Sequence, residues 1–204
     1  MRTHLAPRSS RTNISKEAGF NLIEAAIVLG IVGLIIGGIW AAASSAYENM
    51  RQQATSKNLL SLASNIRNFY AQSATDPVLA DFGSEQLYQQ GLVPSDMLAG
   101  NDGAHILRHQ WGGVVDLAPS NLGGNVSGFT ITLNNVSGAS CRNLIMRNAN
   151  AAKGSGLLGV GVGEEANILN MTTNGDDTVT QADLTTNCPN AGQVDVIFTF
   201  GIRG

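Results

Sequence analysis

The stretch at residues 20–43, FNLIEAAIVLGIVGLIIGGIWAAA, constrains this chain more than any other feature, because about two dozen residues carry one charge, Glu24. At 1.5 Å per residue, a helix of that length crosses a bilayer core of ~30 Å. Arg2, Arg8, Arg11 and Lys16 precede it, against the single acid Glu17. A basic flank of this kind keeps the N-terminus cytoplasmic and sends the rest of the chain outward. An ordinary secretory signal has a shorter apolar region closed by a small-x-small cleavage site. The alanines at 41–43 fit that pattern, but the run is too long for it, so a membrane-passing helix is the better reading.

Helical spacing continues beyond the apolar run. Tyr47, Met50, Ala54, Leu59, Leu62, Ala63, Ile66, Phe69 and Tyr70 recur mostly at three- and four-residue steps, while Ser61, Asn65 and Asn68 form a polar stripe. No proline lies between Pro7 and Pro77. One helix over residues 20–73, some 80 Å long, is therefore expected, apolar all round in its first half and amphipathic in its second. Asp76-Pro77 ends it, since proline restricts the residue before it and cannot continue the ladder. Residues 84–90 suit a short helix with Ser84 as N-cap and Gly91 as stop. Strands are expected at 113–117, 128–133 and 193–200, where apolar and polar residues alternate or β-branched and aromatic residues gather. Residues 140–148 have helical spacing in Leu144, Ile145 and Arg147, and residues 151–190 read as a glycine-rich excursion. The fold class is α+β, with the second half of the long helix lying on an antiparallel sheet.

With 43% hydrophobic and 13% charged among 204 residues, the chain can build one modest core plus one long accessory element. Beyond Gly19 it has eight basic and fourteen acidic residues, net −6, and no basic patch to displace counterions from phosphates, so no nucleic-acid partner is expected. Glycine is abundant, and Asn, Ser and Thr are frequent after residue 73, which suits a loop-rich extracellular head. Cys141 and Cys188 have no cysteine or histidine nearby at metal-ligand spacing, and in an exported chain such a pair reads as one disulfide. His4, His105 and His109 form no triad with a serine in a recognisable context, and no nucleophile elbow or phosphate loop is present. Neither enzymatic activity nor a cofactor is expected.

Function is carried by Gly19-Phe20-Asn21-Leu22-Ile23-Glu24. A carboxylate inside a membrane segment costs roughly 2.5–3.5 kcal/mol at the bilayer centre on insertion scales. Cleavage after Gly19 would create a partner for it, the α-amine of Phe20, which is cationic below a pKa near 8. The pattern Gly-Phe-x-x-x-Glu before an all-apolar helix resembles the prepilin signature of type IV pilins and their secretion-system relatives. That resemblance implies a leader at 1–19 removed by a membrane-embedded prepilin peptidase, N-methylation of Phe20, and pairing of Glu24 with the N-terminus of a neighbouring subunit. The helix would then occupy 20–73, with 20–43 as membrane span and filament core, and the head 74–204.

Leu107-Arg108-His109-Gln110-Trp111-Gly112-Gly113, followed by residues 129–133, Cys141 and a strand after Cys188, is similar to type IVb pilins, in particular those of conjugative thin pili and enterobacterial adhesion pili. The resemblance implies a homo-oligomeric helical filament of major pilin. Subunits would be held in the inner membrane before assembly and extracted by envelope machinery into an extracellular pilus that meets host or recipient cells. Rival readings are a minor pilin or type II secretion pseudopilin, and an adhesin acting through its head.

Other features are weaker. Gly30, Gly33, Gly37 and Gly38 suit close helix packing in assembly or are merely a glycine-rich membrane segment. Trp111 beside Gly112 and Gly113 reads as core and turn, and Glu164-Glu165 as a solvated loop. Asn174, Asp176, the carbonyl of Thr178 and Asp183 have the spacing of Ca²⁺-loop positions three, five, seven and twelve. Thr172 replaces the first acid and Asp177 the turn glycine, so a polar turn without metal is the simpler expectation.

Overall fold

The apolar run and the amphipathic stretch after it form one continuous helix, α1 (Leu22–Gln72). The computed structural model describes residues 21–72, 82–99, 105–121, 127–151, 155–163, 165–170 and 179–202. Asn21 starts α1: its carbonyl accepts the Ala25 N–H at 3.1 Å, the first bond of the helix ladder, and its Oδ1 accepts the Ile23 N–H at 3.3 Å, satisfying a donor that has no partner inside the helix. The chain divides into two compact units, Met1–Ser45 and Ala46–Gly204. Within the first, the described part of α1 is unshielded, with Leu22 85%, Leu34 79% and Trp40 73% exposed. A helix apolar on every face requires lipid or other helices around it.

The second unit begins with the remainder of α1. Next come α2 (Ser84–Gln89), a 3-10 turn (Ser95–Met97) and a short ladder of β1 (Leu98–Ala99) with β2 (Ile106–Leu107). Gly83, rather than Ser84, is the N-cap of α2, and it offers no side-chain bond. Gly91 ends that region as expected, with φ +69° and the Leu92 N–H reaching back to the Leu87 carbonyl at 3.0 Å.

An antiparallel sheet of five strands follows, in the order β3-β4-β7-β5-β6. They are β3 (Val115–Asn121), β4 (Ser127–Ser137), β5 (Leu157–Val162), β6 (Glu165–Asn170) and β7 (Gln193–Gly201). β3 tolerates Pro119 because it is an edge strand, where a missing N–H need not break a ladder. β4 carries a bulge between Leu133 and Val136, with Asn135 at φ 60°, and runs directly into α3 (Gly138–Ala151). That junction requires glycine: a Cβ on Gly138 would fall on the carbonyl of Pro189, just beyond α4 (Gln181–Asn187).

The described parts of residues 151–190 are therefore not an excursion. They supply β5 and β6 to the sheet and form α4, and β5 pairs directly with β7. Glycines at 159 and 161 weaken the strand signal of Leu157-Leu-Gly-Val-Gly-Val, and pairing with β7 supplies what local propensity lacks. Glu165 likewise belongs to β6, paired with Val162, rather than to a loop.

Leu59, Leu62, Ala63 and Ile66 of α1 join Phe129, Ile131 and Leu133 of β4, Val196, Phe198 and Phe200 of β7, and Leu144 and Ile145 of α3 in one buried core. Tyr70, Phe82, Phe129 and Phe200 form an aromatic chain through it, with centroids 5.9, 5.8 and 5.5 Å apart. Fully burying each such side chain contributes about 1.5–3 kcal/mol, and this is what holds the amphipathic part of α1 to the sheet.

Candidate functional site

Glu24 lies in the first turn of α1, where the unpaired N–H groups and the helix dipole favour a negative charge. It is exposed, as are Ile23, Ile27 and Val28 around it. Gly19 and Phe20, the cleavage pair, lie outside the described residues. At Gly30, Gly33, Gly37 and Gly38 an added Cβ would meet nothing within 4 Å, so the subunit's own packing does not demand glycine there.

In the head, the segment 107–113 builds a clasp on α1. The His109 N–H donates to the Gly113 carbonyl at 3.1 Å and the Gly112 N–H to the His109 carbonyl at 2.8 Å, with Gly112 at φ +85°. A Cβ on Gly113 would collide with the His109 ring and the Asn134 carbonyl. Only a bare α-carbon lets the imidazole reach β4. His109 is 5% exposed; its Nε2–H donates to the Asn134 carbonyl at 2.7 Å, and its Nδ1 accepts the Trp111 backbone N–H at 3.2 Å. One proton on the ring satisfies both bonds, and burial, with the charge of Arg108, pushes the imidazole below its ordinary 6.5 despite the Asn134 bond.

Trp111 packs edge-on to His109, with centroids 5.5 Å apart, and its Nε1–H donates to both carboxylate oxygens of Glu48 at 3.1 Å. The Ser140 hydroxyl, at the start of α3, donates to Glu48 Oε1 at 2.8 Å, and Gln52 Nε2 at 3.2 Å. Burial works to raise Glu48, but the bonds from Ser140, Trp111 and Gln52, with the Arg51 charge, outweigh it and hold the carboxyl below its ordinary 4.5. Glu48 thus joins three parts of the head: α1, the tryptophan loop and α3.

This node corrects the expected buried face of α1. Tyr47 and Met50 are 66% and 64% exposed, whereas Gln52, Thr55 and Asn58 are buried. Stepping back from the core positions 66, 62 and 59 by three or four residues reaches 55, 52 and 48, so the geometric period continues while the side chains become polar. Hydrophobicity alone selects the wrong face, and the spacing would have found Glu48. Of the expected polar stripe, Ser61 and Asn68 are exposed, and Asn65 donates to the Leu92 carbonyl at 2.9 Å. Trp111 is half-buried, at a turn, and serves as a hydrogen-bond donor.

Cys141 of α3 and Cys188 after α4 form a disulfide with Cα atoms 5.9 Å apart, both fully buried, and Arg142 donates to the Cys188 carbonyl at 3.1 Å. Of the possible Ca²⁺ ligands, Asn174, Asp176 and Thr178 lie outside the described residues. Asp183 is engaged in a capping box: its Oδ2 accepts the Thr180 N–H at 2.9 Å and the Thr180 hydroxyl at 2.6 Å, opening α4. These bonds, the hydroxyl's first, hold its carboxyl below the ordinary 3.8.

The PilS N-terminal family model matches residues 49–201. The crystal structure of a type IVb pilin from Salmonella typhi is similar in fold, with a TM-score of 0.51 and 22% identity over 71% of this chain and 95% of that one. An NMR structure of the type IVb pilin PilS from Salmonella typhi is 20% identical over 71% of this chain and 92% of that one, with a TM-score of 0.46. No curated protein matches the sequence.

Proposed function

From the premise that this chain belongs to the PilS family and is a type IVb pilin, we propose that it is the major subunit of a type IVb pilus supporting adhesion or conjugative cell contact. A pilin is a structural subunit rather than an enzyme. The observation that carries the reading is Glu24, the single charged residue of the apolar, unshielded stretch of α1 from Leu22 to Ala43, placed in its first turn. In this reading prepilin peptidase cuts after Gly19, and the Phe20 amine of one subunit pairs with Glu24 of the next. The helix dipole gives Glu24 partial relief, worth about 0.3–1 kcal/mol, against an insertion cost several times larger, so an intersubunit cation has most of the stabilising to do. That pairing sets the axial stagger between helices as subunits leave the inner membrane for the filament.

Glu24→Ala tests it. Removing the carboxylate removes its insertion cost together with its pairing, so the variant should insert and be cleaved but leave processed subunits in the membrane with few or no filaments. Normal piliation when Glu24→Ala is the sole pilin expressed would show that another contact registers the subunits. Purified filaments should consist mostly of this chain if it is the major subunit.

A further inference from the structure

The contact of α1 with the rest of the head has two chemically different parts. Through Leu59, Leu62, Ala63 and Ile66 it is apolar and closed, and its strength does not depend on pH. From Glu48 to Asn58 it is polar. Glu48 is held by Trp111 and Ser140, Ser56 Oγ accepts from Asn148 Nδ2 at 3.2 Å, and Thr55 Oγ1 and Asn148 Oδ1 are buried with no protein partner among the described residues. A seam built from hydrogen bonds, with one hydroxyl and one amide oxygen unpaired, is held only while its donors and acceptors stay matched.

The match turns on His109. With one ring proton, its Nε2 donates to Asn134 and its Nδ1 accepts from the Trp111 backbone. A second proton on Nδ1 would set donor against donor across 3.2 Å in a nearly closed site. The bond that aims the Trp111 indole at Glu48 would break.

We propose that the tryptophan loop is an acid-released latch, in which protonation of His109 withdraws Trp111 from Glu48 and frees the polar 48–58 segment of α1 from the head. Charges around the latch set its range. Arg108 beside His109 opposes a second cation, and Arg51 on α1 favours the ionised Glu48. On β3, Asp116 accepts a bond from Asn134 Nδ2, and α3 contributes the neutral Ser140 hydroxyl.

Both titrating groups have folded values below their ordinary ones, so the released state binds more protons and latching weakens as pH falls. His109 acts first, below its ordinary 6.5, and Glu48 follows below 4.5. The apolar 59–66 contact stays, so release is local rather than global unfolding. Acid would then leave filaments assembled from subunits whose heads are held to α1 over a shorter length.

The test uses the full mature chain in detergent micelles with Trp40→Phe, which leaves Trp111 as the sole indole. Its emission should shift reversibly to the red as pH falls from 7 to 4, beginning below 6.5, with helix content retained by circular dichroism. His109→Gln keeps one donor and one acceptor but does not titrate, so it should lose the first step and keep a later one, which Glu48→Gln should remove. In the unmutated latch, ¹⁵N NMR of His109 should show Nδ1 gaining its proton in step with the emission change, a readout that does not depend on His109→Gln folding. Emission unchanged from pH 7 to 4, an identical profile in a folded His109→Gln variant, or Nδ1 protonation out of step with the emission would each overturn the proposal.

Discussion

Gly113→Ala is the sharpest probe of how the clasp is built. The new methyl group would overlap the His109 ring and the Asn134 carbonyl, one of them backbone within β4 and the other a ring packed between β4 and Trp111. Neither is the free end of a flexible chain. Overpacking of this kind costs about 1–3 kcal/mol, and expelling the imidazole adds about 1 kcal/mol for the bond to Asn134. A total near 3 kcal/mol is therefore expected. Gly112→Ala next to it is the control, since its Cβ would meet open space and the cost is the strain of φ +85°, about 1–2 kcal/mol. A chain starting at Ala46 retains every buried core residue among those described and suits urea unfolding. With a slope near 2 kcal/mol/M, Gly113→Ala should lower the midpoint by about 1.5 M and Gly112→Ala by about half that. A shift for Gly113→Ala no larger than for Gly112→Ala would show that the close approach of His109 to β4 is not what demands glycine.

Reducing the disulfide, or replacing both cysteines with serine, should cost the head about 4 kcal/mol, because Cys141 and Cys188 are 47 residues apart and the constraint on the unfolded chain is lost. A loss under 1 kcal/mol in urea would mean that the core alone holds α3 to the segment after α4. Gly19→Val should block the peptidase and accumulate full-length precursor without pili. Mature protein still beginning at Phe20 would disprove the assignment of the cut.

Much of the architecture was legible because its signals are long or regular. Residues 20–73 were expected as one helix and 22–72 form one, since neither a proline nor a change of period interrupts them. The strands around Phe129 to Leu133 and Val194 to Phe200 were visible in their alternation. β5 and β6 were not. The glycines of β5 and the short length of both leave too little local preference, and β5 is a strand because it pairs along β7. Segment 107–113 stood out as a motif, yet its purpose was hidden. That Trp111 reaches Glu48, 63 residues away, is a property of packing.

The sequence by itself determined that this chain presents one charge, Glu24, at the mouth of an apolar helix, because charge and hydropathy are properties of residues in order and need no fold to exist. It also determined that two cysteines were available for one disulfide. Which face of α1 turns inward past Leu59 was decided by tertiary structure. Hydrophobicity favoured Tyr47 and Met50, but a continuous helix whose positions 59, 62 and 66 are already fixed in the core directs 55, 52 and 48 the same way. Glu48 is tolerated there because Trp111 and Ser140 bring donors to it, with Gln52 bonded to Glu48 in turn, and that meeting exists only once the loop, α3 and α1 are together.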